Sequence, residues 1–422
     1  MKNKPSAVPA LVIGIDWADQ KHDACAIDAS GKEVSQQIDH TPEAIDAWVS
    51  QQLEQADGHP IAIILEQSRG ALIHALMFRE NVMLYPINPK QLANYRESYS
   101  NAGSKNDARD AWLLARMLWE RIRILKPWIP DDEQTRLLAR FCQQRRQLVN
   151  ERTRLLQQLT DQLKAYFPLA LQLNPRGVQS SVVLELLRRW PDPRQLRNAD
   201  RRWLVKVFKQ YSIRNSDQQQ ALIDRIRSAK LLSSDNALIE SAAIVVEVLA
   251  KQIPVLQKAI DKLDQKIEHG MATHTDAMLF QSLPGAGKAL APRLLTAFGS
   301  QRDRYASADE MSTYSGIAPV TKKSGKTRIV HRRFACPKYL RQTFHEFAAH
   351  AKRWCPWSRA YYELQRSRGM KHHAALRKLA LRWIRILYVV WKNRVPYDAN
   401  RYLATIQRKN PALVPFLQIQ SK

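Results

Sequence analysis

Ile239, Ala242, Val246, Leu249, Ile253, Leu256, Ile260, Leu263 and Ile267 recur at alternating steps of three and four residues. A strand exposes alternate residues on opposite faces, so it has no use for that spacing. On an α-helix the same spacing draws one apolar seam over about four heptads, and such a seam must be buried against something apolar. The natural partner is the helix predicted around Leu138–Phe167. Its matching positions include Leu148, Leu155 and Leu159, but also Arg145, Arg152 and Gln162. The seam therefore packs either within the chain or against a second protomer. Between the two helices, "RRWPDPRQLRNADRRWLVKVF" reads as a small, basic helical insertion.

The period is different before this helical middle. "LVIGID", "HDACAIDA" and "KEVSQQID" predict a three-stranded antiparallel meander turning at Gly31. A helix from about Pro42 to Ala56, the buried strand "IAIILE", a helix near Ala71–Glu80, the strand "NVMLYPI" and a helix from Asp107 complete a mixed-sheet α/β domain. The two prolines of "KPWIPDD" mark its end. The expected division is 1–126 as the α/β domain, 127–272 as the helical middle and 273–422 as a mainly helical C-terminal domain. The chain has 422 residues, too many for one core.

Charge separates the same regions. The formal balance is −2 over residues 1–130, +8 over 131–269 and +21 over 270–422. A field of that sign points to a polyanion, because each neutralised phosphate releases a counterion. Nucleic acid is the leading partner. Membrane insertion is not expected, since runs such as "LYVVW" fall far short of the roughly 20 residues that span a bilayer. Pro5 and Pro9 interrupt the N-terminus, so no signal peptide is expected either. Cys25, Cys142, Cys336 and Cys355 are scattered without metal-binding or disulfide spacing and read as reduced thiols of a cytoplasmic protein. "FQSLPGAGKALAPRLL" predicts helix, Gly-containing turn and helix. A Walker loop would need Gly at Ser282 and Ser or Thr at Ala289, so ATP binding is not expected.

Four acids carry the chemistry of the first domain. Asp16 and Glu66 end strands, and Asp107 and Asp110 stand three apart on one face where "KNDARDAWLLAR" opens a helix. Strand ends are where α/β sheets collect sites. Carboxylates gathered at one point repel unless divalent cations lie among them, and their hard oxygens suit Mg²⁺ or Mn²⁺. Two such ions roughly 4 Å apart stabilise the attacking and leaving oxygens of phosphoryl displacement. The alternative for Asp107 and Asp110 is a helix cap with a capping-box-like partner.

"YSGIAPVTKKSGKTRIVHRR" sets Ser324 and Gly325 among Lys322, Lys323, Lys326 and Arg328, cations suited to a phosphodiester whose charge grows in the transition state. Arg332, Arg333, Lys338 and Arg341 are further phosphate-contact candidates. The alternative is a hairpin turn on a solvated cationic face. Ser315 is the rival hydroxyl, in more apolar surroundings. Downstream, Trp383 and Trp391 are expected in the core.

"GIDWA", "LEQSRG", "KNDARDA", "LPGAGKALAPRLL", "YSGIAPVTKKSGK" and "RRFACPKYLRQ" together resemble the DEDD insertion-sequence transposases related to the Piv DNA invertase, the bridge-RNA-guided recombinases. The resemblance runs from about residue 11 to about 395. It implies an RNase H/RuvC-like N-terminal domain with Asp16, Glu66, Asp107 and Asp110 as metal ligands, a coiled-coil middle, and a C-terminal transposase domain with Ser324 as nucleophile. It also implies a structured guide RNA, and a dimer or tetramer whose sites combine acids and serine. Two departures are Trp17 after the first acid, where smaller residues are common, and Gln67 after Glu66.

The expected activity is DNA strand cleavage and rejoining that excises and inserts a mobile element. Ser324 forms a transient phosphoserine bond that conserves bond energy, so no ATP is required. The alternatives are a RuvC-like, metal-dependent nuclease or junction resolvase that uses water, and a nucleic-acid-binding protein without catalysis.

Overall fold

In a computed structural model of the chain, residues 9–66, 70–99, 107–325, 327–409 and 411–418 are described. Gln67 and Lys326 lie outside them. The order of elements begins β1 (Leu11–Asp16), β2 (Lys21–Asp28), β3 (Glu33–Asp39), α1 (Pro42–Gln55), β4 (Ile61–Leu65), α2 (Ala71–Leu76), β5 (Val82–Pro86), α3 (Pro89–Tyr99) and α4 (Asp107–Arg121). Helices follow: α5 (Glu133–Tyr166), α6 (Ser181–Arg189), α7 (Pro193–Arg197), α8 (Arg201–Gln210), α9 (Ser216–Arg227), α10 (Asn236–Thr273), α11 (Ala277–Gln281), α12 (Gly287–Phe298) and α13 (Ala308–Tyr314). The hairpin β6 (Val320–Ser324) and β7 (Thr327–His331) precedes α14 (Lys338–Trp354), α15 (Pro356–Ser367), α16 (His372–Asn393), α17 (Ala399–Lys409) and α18 (Val414–Gln418).

The first five strands form one mixed sheet in the order β3-β2-β1-β4-β5, with β2 antiparallel to both neighbours and β1, β4 and β5 parallel. Every residue of β4 is buried, as befits a central strand covered on both faces. Ile13, Ile15, Ile61 and Ile63 pack with Trp48 and Val49 of α1 on one face, while Val12, Ala62 and Ile64 pack with Leu113, Leu114 and Met117 of α4 on the other. The meander and both following strands match the sequence expectation. Helix α3 was not anticipated.

The chain divides into two compact units built from separate stretches, Met1–Asp132 with Phe298–His345 and Lys371–Asn393, and Glu133–Ala297 with Glu346–Met370 and Arg394–Lys422. In the second unit α5 and α10 lie side by side. Gln134 bonds to Thr273 near one end, Arg145 to Asp264 further along and Arg152 to Gln257 beyond, so the pair is antiparallel. Ile239, Ala242, Val246, Leu249, Ile253, Ile260 and Ile267 are buried, and Leu256 and Leu263 partly so. The seam is thus covered within the chain. Of the polar interruptions of its partner, Arg145 forks onto Asp264, while Arg152 donates one Nη to Gln257 and keeps its Nε buried without a hydrogen-bond partner. The basic insertion is helical, as expected, and Leu204, Val207 and Phe208 of α8 tie it into the same core.

In the first unit Trp383 and Trp391 are fully buried. Trp391 packs against Phe298 with ring centroids 5.5 Å apart and planes tilted by 43°, and donates its indole N–H to the Gly299 carbonyl at 2.7 Å. Asp131 receives the Ser300 amide at 2.7 Å and pairs with Arg304 at 2.8 Å, which anchors the end of the N-terminal region to the segment after α12. Among the described residues no helix is long and apolar enough to cross a membrane.

Candidate active site

Strand register brings two of the four acids together. Ile15 of β1 pairs with Leu65 of the parallel β4, so Asp16 and Glu66 emerge side by side at the C-terminal edge, both half-buried. A close approach seats α4 against β1. A Cβ on Gly14 would stand 2.1 Å from the Ala111 carbonyl and 2.3 Å from the Ala115 amide, distances no side chain tolerates. Glycine in β1, with alanines at both contact points of α4, lets the helix backbone settle onto the strand backbone. The N-terminus of α4 carries Asp107, exposed, and Asp110, 2% exposed.

Asp110 is held by Arg96 of α3. Its two oxygens receive Nε at 3.0 Å and an Nη at 2.5 Å, a bidentate fork that neutralises a carboxylate buried beyond the reach of water. The same two helices meet again at Glu120, which accepts from the Tyr95 and Tyr99 hydroxyls at 2.8 and 2.7 Å. Burial and these bonds push the Tyr95 hydroxyl far above its ordinary pKa. Burial opposes ionisation of Glu120, yet the bonds from Tyr99 and Tyr95 hold its carboxyl below the usual range. Among the described residues no group of three or more His, Cys, Asp or Glu side chains stands close enough to hold a metal ion. The donor set nevertheless suits Mg²⁺ or Mn²⁺ by chemistry: four carboxylates with hard oxygens, on two adjacent strand ends and one helix start.

Beyond Asp16 the chain turns through Trp17. His22, fully buried, accepts the Ala18 amide at Nδ1 over 3.2 Å and bonds through Nε2 to His40 Nδ1 over 2.9 Å. Burial, and then the neighbouring His40, hold the His22 pKa below its ordinary value.

Ser324 stands at the tip of the β6–β7 hairpin, where it pairs with Thr327 across a turn begun by Gly325 at φ +54°. Its side chain is exposed, as are Lys322, Lys323, Arg328, Arg332 and Lys338. Lys326 is outside the described residues. Arg333 and Arg341 are half-buried; Arg341 donates to the Arg333 carbonyl at 3.2 Å. Gly316, at φ +75°, lies so close to Cys336 that a Cβ there would come within 2.2 Å of the sulfur. These contacts clamp the base of the hairpin and leave its tip in solvent. Ser315 is fully buried at the end of α13 and donates to the Ser312 carbonyl.

Arg96, His22 and Arg377 were not singled out from the sequence. Burial, and then the positive charges of Arg332 and Arg341, hold the Arg377 pKa below its ordinary value, which marks three guanidinium groups gathered near the hairpin base. The signal for Arg377 was the charge excess of the region. Arg96 and His22 had none, since their partners are distant in sequence.

The IS110 DEDD transposase model matches residues 13–168, and the model of the IS116/IS110/IS902 transposase family matches residues 277–363; together they cover more than half the chain. A mini-circle protein of IS117 from Streptomyces coelicolor is 26% identical over 93% of this chain and 96% of its own length. An insertion-element IS900 protein of Mycobacterium paratuberculosis is 28% identical over 91% of this chain and 96% of its own length. An insertion-element IS110 protein, again from Streptomyces coelicolor, is 29% identical over 70% and 73%. The first match contains all four acids and the second contains Ser324, so the chain belongs to the DEDD insertion-sequence transposases of the IS110 kind.

Proposed function

We propose that this transposase cuts and rejoins DNA through a phosphoserine intermediate at Ser324, with Asp16, Glu66, Asp107 and Asp110 as the ligands of Mg²⁺ or Mn²⁺. The observation that supports the reading is that Asp16 and Glu66 end adjacent parallel strands while α4, which opens with Asp107 and Asp110, packs on β1 at Gly14. When bound, a divalent cation supplies charge neutralisation and a polarised oxygen. The chain supplies the rest. Ser324 Oγ bonds to phosphorus as the bond to the departing strand oxygen breaks, and the serine proton ends on that oxygen. A hydroxyl of the incoming strand then attacks the phosphoserine, closes a new phosphodiester and restores the serine. Lys322, Lys323 and Arg328 offset the charge that develops on the phosphoryl oxygens. Arg332, Arg333, Lys338 and Arg341 hold flanking phosphates.

The partners of this reading are donor and target DNA, a structured guide RNA that pairs with both, and a homodimer or tetramer in which acids and serine of different protomers combine. No ATP enters, because the covalent intermediate stores the bond energy.

A denaturation-resistant protein–DNA adduct, trapped on a substrate carrying the element ends, tests the serine. Ser324→Ala should abolish adduct and recombination while DNA binding persists. Cleavage that survives in Ser324→Ala would make water the nucleophile and the protein a RuvC-like nuclease. Sequencing RNA that copurifies with the full-length chain tests the guide: a defined transcript is expected, and random cellular RNA would overturn it.

A further inference from the structure

We propose that Trp17 is a stacking platform for an unpaired DNA base beside the acidic sheet edge; the inference rests on reading Asp16 as part of the cleavage site. Trp17 follows Asp16 directly, yet it is 38% exposed, whereas the aliphatic residues of the strand leading to it are buried. A tryptophan that merely sealed the end of the sheet would be covered.

The ring is braced from behind. It stacks on His22 with centroids 6.3 Å apart and planes 25° apart, and His40 meets it edge-on at 6.3 Å and 85°. His22 is in turn fixed by burial, by the Ala18 amide and by His40. A side chain held at a stacked ring and through the backbone of the next residue has little rotamer freedom left to lose, so a ligand meeting it forfeits little entropy. Two of the other exposed tryptophans are built differently. Trp119 and Trp203 carry Arg116 and Lys206 over their rings at 5.1 and 4.9 Å, the arrangement of a surface cation–π pair.

Electrostatics selects the ligand class. Trp17 lies between Asp16 and Asp19, two carboxylates that repel a phosphate brought onto the ring itself when no cation lies among them. The part of a nucleic acid that such a surface can accept is the uncharged face of a base, and only an unpaired base offers its whole face. Strand exchange produces unpaired bases at the cut. Stacking on an aromatic ring is tolerant of sequence and weakens binding by about 5- to 100-fold when the ring is lost.

The test uses the full-length protein, stripped of nucleic acid at high salt and kept in chelator so that no strand is cut. Fluorescence anisotropy measures its affinity for a labelled single-stranded DNA and for a duplex of equal length. Trp17→Leu should bind the single strand about 5- to 100-fold more weakly and the duplex unchanged, at an unaltered melting temperature, and Trp17→Phe should recover most of the loss. Ultraviolet crosslinking of wild-type protein to a 5-bromouracil-substituted single strand should map to the peptide containing Trp17, a readout that needs no variant to fold. Equal single-strand affinity in Trp17→Leu, a parallel loss on duplex, a loss confined to single-stranded RNA, or crosslinks mapping only elsewhere would overturn the proposal. Failure of the cleavage reading shows separately, as recombination that persists in Asp16→Ala.

Discussion

The acidic sheet edge and the Ser324 hairpin carry the two halves of one reaction in the proposal above, yet they are built by opposite means. The acids are fixed by the most tightly packed part of the first unit, with β4 buried along its length, a glycine–alanine contact at backbone distance, and Arg96 forked onto Asp110. The serine rides on a two-stranded ribbon whose described residues are exposed from Thr321 to Val330, with Ile329 and Val330 each 56% exposed. A lone hairpin is marginal in water, and here only its base is clamped. The difference teaches a division of labour. One half is preorganised by the core, while the other gains its final position from whatever covers the ribbon, substrate or partner.

The largest effects should divide the two regions by kind of loss. Asp16→Ala and Glu66→Ala are expected to reduce strand cleavage by on the order of 10³-fold or more, the scale of losing a group that stabilises transition-state charge. Neither adduct nor nicked product should form, and filter-binding affinity for DNA should stay near wild type. Adduct formation that survives in Asp16→Ala would detach the acids from the serine step and break the comparison at its root.

Stability separates the regions next. Gly14→Val forces a Cβ onto the backbone of α4 and should cost about 3 kcal/mol or more in chemical denaturation, at the upper end of overpacking in a core. Ile329→Ser, in a residue as apolar but exposed, should change the unfolding free energy by less than about 0.5 kcal/mol. If both substitutions destabilised alike, the ribbon would have a packed partner within the folded chain, and the contrast would be lost.

The same contrast explains what could be read in advance. The five strands announce themselves because burial imposes a pattern: "IAIILE" is continuous because β4 is covered on both faces, and the middle of "HDACAIDA" is apolar because Ala24 packs on the α1 side of the sheet and Cys25 and Ile27 on the α4 side. The α10 seam is legible for the same reason. Helix α3 escaped because "PKQLANYRESY" buries little beyond Leu92 and Tyr95, too few residues to set a period. The ribbon carries no burial pattern at all, and the sequence around Ser324 shows only a turn signal and charge. Asp16, Glu66, Asp107 and Asp110 stood out as acids at element ends. The packing of α4 on β1 depends on Gly14, Ala111 and Ala115, small residues whose meaning appears only when strand and helix meet. Arg96, His22 and Arg377 depend on partners brought near by the fold, and no spacing in the chain encodes those.

Arg96 offers a sharper, smaller test of the rigid region. Its fork occupies both oxygens of Asp110, so a divalent cation must displace or share it. Arg96→Gln removes one positive charge and the bidentate geometry, and Mn²⁺ titrated calorimetrically should bind about tenfold more tightly, the scale of one charge-assisted hydrogen bond. Arg96→Lys, which keeps the charge and loses the fork, should fall between. Weaker binding in both variants would instead make Arg96 a residue that orients Asp110 toward the cation.

The smallest expected effect is a pH dependence confined to the rigid region. His22 is neutral in the folded protein, since burial and His40 depress its pKa and its Nδ1 already accepts the Ala18 amide. The unfolded chain, with an ordinary histidine pKa of about 6.5, takes up the proton first as the pH falls. Stability from this group is therefore fully present above about pH 6.5 and declines as the pH drops below it toward the folded-state pKa, by at most about 1.4 kcal/mol per pH unit. Denaturation curves at descending pH should show that slope in wild type and a shallower one in His22→Gln, which keeps an acceptor for the amide but does not titrate. Ile329→Ser, on the ribbon, should keep the wild-type slope. Equal slopes in wild type and His22→Gln would mean that the imidazole is charged in the fold. The amide at Ala18 would then need another acceptor, and the bracing behind Trp17 would have to be drawn differently.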